Sequence, residues 1–151
     1  MDQWQLVDGS IPVDGPEDFP KVTIRSEAQI REELRRLRDR EPAIFTLESP
    51  ADDALQIGIG GPFWGVRHYR NREVHAVVLA DRILHEKRID FTAEEDTLAF
   101  WPEELIPFER AIEVIIYYYR NLRLPDWIGW KEWDPARKKW QIKPATDARS
   151  A

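Results

Sequence analysis

Residues 107–130 read PFERAIEVIIYYYRNLRLPDWIGW, and this stretch decides the fold. Phe108, Ala111, Ile112, Ile115, Tyr118, Tyr119 and Leu122 recur at spacings of three and four, which traces one face of a 3.6-residue helix. Pro107 suits the first helical position, where its missing N–H costs nothing. Pro125 cannot continue a helix and drives Leu124 toward an extended backbone. The segment Asp126–Trp130 then predicts entry into a strand. A one-sided helix of this kind needs a second layer to cover it.

The upstream chain supplies that layer. Gln3–Val7 reads as a short edge strand and Val22–Ile24 as a short β run. Ser26 starts a helix with Gln29 three residues on, the capping-box spacing. Ile30, Leu34 and Leu37 give this helix a narrow apolar stripe that ends at Glu41-Pro42. Ala43–Leu47, Leu55–Ile59, Phe63–Tyr69 and Val74–Leu79 predict strands. Ser49–Asp53 and Gly60-Gly61-Pro62 are the turns between the first three. Arg88–Thr92 and Thr97–Trp101 flank the turn Ala93–Asp96 as one more hairpin. After the long helix, Trp127–Trp133 is a last strand or irregular segment, and Trp140–Ile142 has room for one short strand. The expectation is an α+β fold: one domain over residues 1–151, with an antiparallel sheet of about five to six strands and two main helices on one face. Residues 1–20 form an irregular acidic arm and residues 134–151 a basic, partly loose tail.

Composition narrows the function classes. With 42% hydrophobic and 33% charged residues, the chain suits a globular protein with a real core. No apolar run approaches the roughly 18 residues of a membrane span. The start MDQWQLVDGS lacks the basic and apolar regions of a secretory signal, and there is no cysteine. The expectation is therefore cytoplasmic, with no membrane partner. The net charge is −6, and its placement is uneven. Residues 1–20 carry Asp2, Asp8, Asp14, Glu17 and Asp18 and no Lys or Arg. Residues 89–108 carry Asp90, Glu94, Glu95, Asp96, Glu103 and Glu104, again without a base. Such surfaces oppose nucleic-acid binding, which needs cations against phosphate, and suit a basic protein partner.

Reactive constellations are few. If Asn71-Arg72 is a two-residue turn, His68 and His75 face each other across a hairpin. That is half a metal site or a pH-sensitive pair, but no third ligand is spaced nearby, so cross-strand packing is the simpler reading and no metal is assigned. Glu94, Glu95, Asp96, Glu103 and Glu104 supply carboxylates for acid–base work only if a cleft raises one pKa; solvated turns are simpler. The serines lack the G-x-S-x-G setting of a nucleophile elbow. The glycines at 58, 60 and 61 match neither a P-loop nor a dinucleotide fingerprint, so no cofactor is expected. Most of the seven tryptophans are core candidates. Trp64, beside Gly65 and just after Gly-Gly-Pro, is placed to project as a contact residue.

Three stretches carry a family likeness. Leu124-Pro125-Asp126-Trp127-Ile128-Gly129-Trp130 follows the long helix. Leu55–Gly61 followed by Val66-Arg67-His68-Tyr69 forms a strand–glycine–strand unit. Trp101-Pro102-Glu103-Glu104-Leu105-Ile106-Pro107 is an acidic run before the helix. In their chain order, with Leu124–Trp130 last, they resemble the first-numbered immunity family of bacterial polymorphic toxin systems, commonly encoded beside nucleic-acid deaminase toxins. The likeness covers about residues 22–133. It implies a non-enzymatic inhibitor that binds a cognate toxin and occludes its active site, with Trp127 and Trp130 structural. The implied toxin is a deaminase with a basic substrate groove. The candidate contacts, chosen from the acidic turns and the glycine-flanked tryptophan, are Asp52, Asp53, Trp64, Glu94, Glu95, Asp96, Glu103 and Glu104. The alternatives are a small hydrolase using paired carboxylates and a non-catalytic ligand-binding or scaffold module.

Overall fold

The computed structural model describes residues 3–8, 20–38, 43–51, 53–59, 62–70, 73–78, 89–93, 96–100, 104–134 and 136–143. The chain order is β1 (Trp4–Asp8), β2 (Lys21–Ile24), α1 (Glu27–Arg36), β3 (Ala43–Glu48), β4 (Ala54–Ile59), β5 (Phe63–Arg70), β6 (Glu73–Val78), β7 (Ile89–Ala93), β8 (Asp96–Phe100), β9 (Ile106–Pro107), α2 (Phe108–Asn121), β10 (Gly129–Asp134) and β11 (Lys139–Lys143). The main sheet runs β11-β10-β6-β5-β4-β3-β1-β2, with β9 alongside β5, while β7 and β8 form a separate ribbon. All of its strand pairs are antiparallel. The fold is α+β, one antiparallel sheet and two helices, and short strands at its margins extend the sheet. Among the described residues no helix is long and apolar enough to cross a membrane.

The helices share one face of the sheet because each has one apolar stripe to bury. Ile30 and Leu34 of α1 join Phe108, Ala111, Ile112, Val114, Ile115, Ile116 and Tyr118 of α2 in a single core with Leu47, Leu55, Ile57 and Val66. Each fully buried Ile, Leu or Val there contributes on the order of 1.5–3 kcal/mol. Ser26 caps α1 by accepting from the Gln29 N–H at 3.2 Å, as the spacing predicts. The return bond lands one residue early: the Arg25 N–H donates to Gln29 Oε1 at 2.8 Å.

Three local readings shift. Pro107 is the N-cap of α2 and part of β9 rather than the first helical residue. The helix ends before the Leu-Pro step: Leu122 takes the left-handed conformation at φ 57° and its N–H donates to the Tyr118 carbonyl at 2.7 Å. That conformation costs a non-glycine residue roughly 1–2 kcal/mol, offset here by packing the partly buried Leu122 on the core. Third, β1 is not the edge strand. It pairs with both β2 and β3, and β2 closes the sheet.

Register fixes which side chains share a face. Directly opposite one another lie Leu6, Leu47, Leu55, His68, His75 and Glu132, across β1, β3, β4, β5, β6 and β10. This row is on the helix side, and it turns from apolar to polar at His68. The adjacent row, Thr46, Gln56, Arg67, Ala76 and Lys131, lies on the other side. The pairing of His68 with His75 is the one the two-residue turn required.

Candidate functional site

The helix-side polar row holds a buried carboxylate. Asp53 stands where the Ser49–Asp53 turn enters β4, a turn closed by the Ser49 N–H donating to the Asp53 carbonyl at 2.9 Å. The Ser49 hydroxyl also accepts from the Ala51 and Asp53 N–H groups, at 3.1 and 3.3 Å, the turn chemistry expected of serine. That turn aims Asp53 inward. His68 Nε2 lies 2.6 Å from Asp53 Oδ1, and the Tyr118 hydroxyl donates to the same oxygen at 3.1 Å. A carboxylate only accepts, so Nε2 carries the imidazole proton. Arg70 Nε lies 3.9 Å from Asp53 Oδ2 at the exposed end of the cluster. Burial pushes the His68 pKa below its ordinary 6.5, and the Asp53 carboxylate pulls against that shift without reversing it. Burial, then Asp53, pushes the Tyr118 hydroxyl far above its ordinary range.

The row continues outward. The His75 ring centroid is 5.9 Å from that of His68. His75 Nε2 lies 3.2 Å from Glu132 Oε2, and its ring meets the edge of Trp130 at 4.7 Å. The row thus carries two linked acid–imidazole pairs. Among the described residues, no group of three or more His, Asp or Glu side chains is placed to hold a metal ion.

The opposite face holds a second buried carboxylate. Glu104, 0% exposed, lies 2.9 Å from Arg67 Nε and 3.3 Å from Lys131 Nζ. Lys131 is also 0% exposed, which a lysine tolerates only with a partner. Strand alternation puts it back to back with Trp130.

Three of the contacts expected from sequence are therefore interior residues. Trp64 does not project: it is 0% exposed, packed against Phe108 with centroids 5.5 Å apart. Its position parity on β5 matches His68, so it points to the helices, and it is Phe63 that faces out. Glu104 is committed to Arg67 and Lys131, and Asp53 to His68 and Tyr118. Asp96 pairs with Ala93 as the last pair of the β7–β8 ribbon, the one farthest from Ile89 and Phe100, while Asp52, Glu94, Glu95 and Glu103 lie outside the described residues. Trp127 is only half-buried, with the Arg110 guanidinium over its ring at 4.8 Å and Tyr117 edge-on at 6.3 Å. No protein-family model matches this chain, and no curated protein matches it.

Sequence reasoning found the His68–His75 pair but missed both carboxylate clusters. Their partners are far apart in the chain: Arg67 and Glu104 by 37 residues, Asp53 and Tyr118 by 65. One signal was present. Lys131 interrupts an otherwise aromatic strand, WIGWKEW, and a cation inside such a strand calls for a carboxylate.

Proposed function

We propose that this chain is an immunity protein that binds a cognate bacterial toxin and occludes its active site. The observation that supports it most is the meeting of the three likeness-bearing stretches on one carboxylate. Glu104 belongs to Trp101–Pro107, Arg67 to the Val66–Tyr69 strand, and Lys131 directly follows Leu124–Trp130. Scattered in sequence, they form a single unit in the fold. A shared pattern of this kind marks a common scaffold, and the scaffold's role in the family it resembles is toxin neutralisation. The toxin would be a deaminase, which acts on a flipped or single-stranded base and needs a basic groove to hold nucleic acid. A chain of net charge −6 with base-free acidic segments is complementary to such a groove. Asp52, Glu94, Glu95, Asp96 and Glu103 remain the acidic contacts of the proposal; Asp53, Glu104 and Trp64 support the scaffold. The protein would act in the cytoplasm, where the toxin meets its substrate.

The hydrolase reading is weaker. A paired-carboxylate mechanism needs one acid open to substrate with a raised pKa, whereas Glu104 is covered and already holds two cations. The His68–Asp53 pair is likewise covered, at 5% and 7% exposure.

The test is co-expression with the deaminase toxin domain that the proposal expects a neighbouring gene to encode. Growth should be restored when both are present and lost when the immunity chain is omitted. A toxin that kills equally well in the presence of this chain contradicts the proposal.

A further inference from the structure

The outer border of β2 is met by a side chain from the helix that follows it. β2 is the last strand of the main sheet among the described residues, and its register with β1 decides which backbone groups face outward. Trp4 lies opposite Ile24 and Leu6 opposite Val22. The same register carries the Asp8 N–H to the Pro20 carbonyl at 2.9 Å. Along an antiparallel ladder, hydrogen-bonded pairs alternate with non-bonded ones. Pro20, Val22 and Ile24 are therefore the residues bonded toward β1, and Lys21 and Thr23 turn their N–H and C=O groups away from it. A row of outward backbone groups is a template for another strand. Val22 adds an apolar side chain to this border, 37% exposed.

Gln29 occupies part of the row. Its Nε2 donates to the Thr23 carbonyl at 2.7 Å, and its Oε1 accepts from the Arg25 N–H at 2.8 Å. In a parallel pair, a residue donates to the carbonyl just before its opposite number and accepts from the N–H just after it. The Gln29 amide makes that same pair of bonds on either side of Ile24. It stands in for one residue of a parallel strand. Its position is set by the helix start: the Gln29 N–H donates to the capping Ser26 hydroxyl, so the amide leaves a fixed first turn of α1. The opposite border of the sheet, β11, reads KWQIK, with a lysine at each end, a charged device that keeps edges apart. β2 has a lysine only at its first residue, Lys21, and the amide stands at its other end.

We infer that Gln29 is an edge guard, whose amide closes the outward groups of Thr23 and Arg25 and keeps two copies of this chain from pairing through β2. A second copy is the occupant that fits the edge once the guard is lost. Two β2 strands present the same outward groups and the same exposed valine, and antiparallel pairing about a twofold axis satisfies both at once. The inference is independent of the immunity reading.

The experiment compares wild type, Gln29→Ala and the double variant Gln29→Ala with Val22→Lys by sedimentation velocity over a range of concentrations, with thermal melting of each. Gln29→Ala should dimerise at least about tenfold more tightly than wild type, because two backbone groups are left open to a partner strand. Adding Val22→Lys should return the variant to wild-type sedimentation, since it sets like charges against each other across the paired edges. A Gln29→Ala protein that melts lower but sediments like wild type overturns the guard and leaves Gln29 as a fastening between α1 and β2. A dimer indifferent to Val22→Lys also overturns it, because that dimer pairs elsewhere. Should Gln29→Ala fail to fold, amide hydrogen exchange on wild type decides. An Arg25 amide protected like those of the strand ladders supports the guard, and one that exchanges as fast as exposed loop amides overturns it.

Discussion

Asp53 and Glu104 are both buried carboxylates, and they lie on opposite faces of β5, yet they are stabilised in opposite ways. Asp53 is met by two neutral donors, the Tyr118 hydroxyl and a His68 ring whose pKa burial holds below 6.5. Glu104 is met by two cations, Arg67 and Lys131. The first arrangement is a hydrogen-bond cluster in the main core. The second is an ion cluster that ties Glu104, just before β9, to β5 and β10. The difference predicts unequal sensitivity. Removing the Tyr118 hydroxyl takes one neutral donor from Asp53, whereas removing Glu104 strands two cations.

The largest effect should come from Glu104→Ala. Two cations would lose their carboxylate, one of them fully buried, and such a loss costs about 3–5 kcal/mol. Urea denaturation should show the midpoint falling accordingly; a loss below about 1 kcal/mol would mean that the pairs are not formed in solution. Tyr118→Phe should cost less, about 1–2 kcal/mol, because it removes one neutral donor and leaves the ring packing intact. If it equalled Glu104→Ala, the contrast between the clusters would be wrong.

The pH response should separate them as well. His68 is a base whose folded pKa is depressed, so the folded state binds fewer protons than the unfolded chain. Its contribution is fully present above 6.5, the unfolded value, and is lost as pH falls below it toward the lower folded value. Denaturation midpoints should therefore drop as the pH is lowered through and below 6.5. Part of that drop should vanish in His68→Gln. An unchanged pH profile in that variant would show that His68 is not the group responsible.

The sequence made the helix-side architecture legible and left the other side dark, for a physical reason. Periodicity reports which residues an element buries. It therefore revealed the stripes of α1 and α2, the alternation of β4 and the opposition of His68 and His75. It says nothing about which distant carboxylate a buried cation will find. Lys131 announced a need for a partner without naming Glu104. Trp64 shows a different limit. Its glycine-rich flank suggested a projecting ring, but strand parity governs direction: the strand expected over Phe63–Tyr69 already put Trp64 on the side of His68, and only the packing of that side against α2 shows that it is the buried one. The helix end at Leu122 was hidden because a left-handed leucine has no local signature of the kind glycine provides.

The immunity proposal is tested most directly by isothermal titration of this protein with the deaminase domain proposed as its cognate toxin, at roughly 50 mM and roughly 500 mM salt. The prediction is a one-to-one complex at low salt, with a dissociation constant of about 1–100 nM, the range common for interfaces of standard size. High salt should weaken it steeply, and charge reversal at Glu94, Glu95 and Glu103 should flatten that dependence. Absence of binding at both salt concentrations would contradict the account.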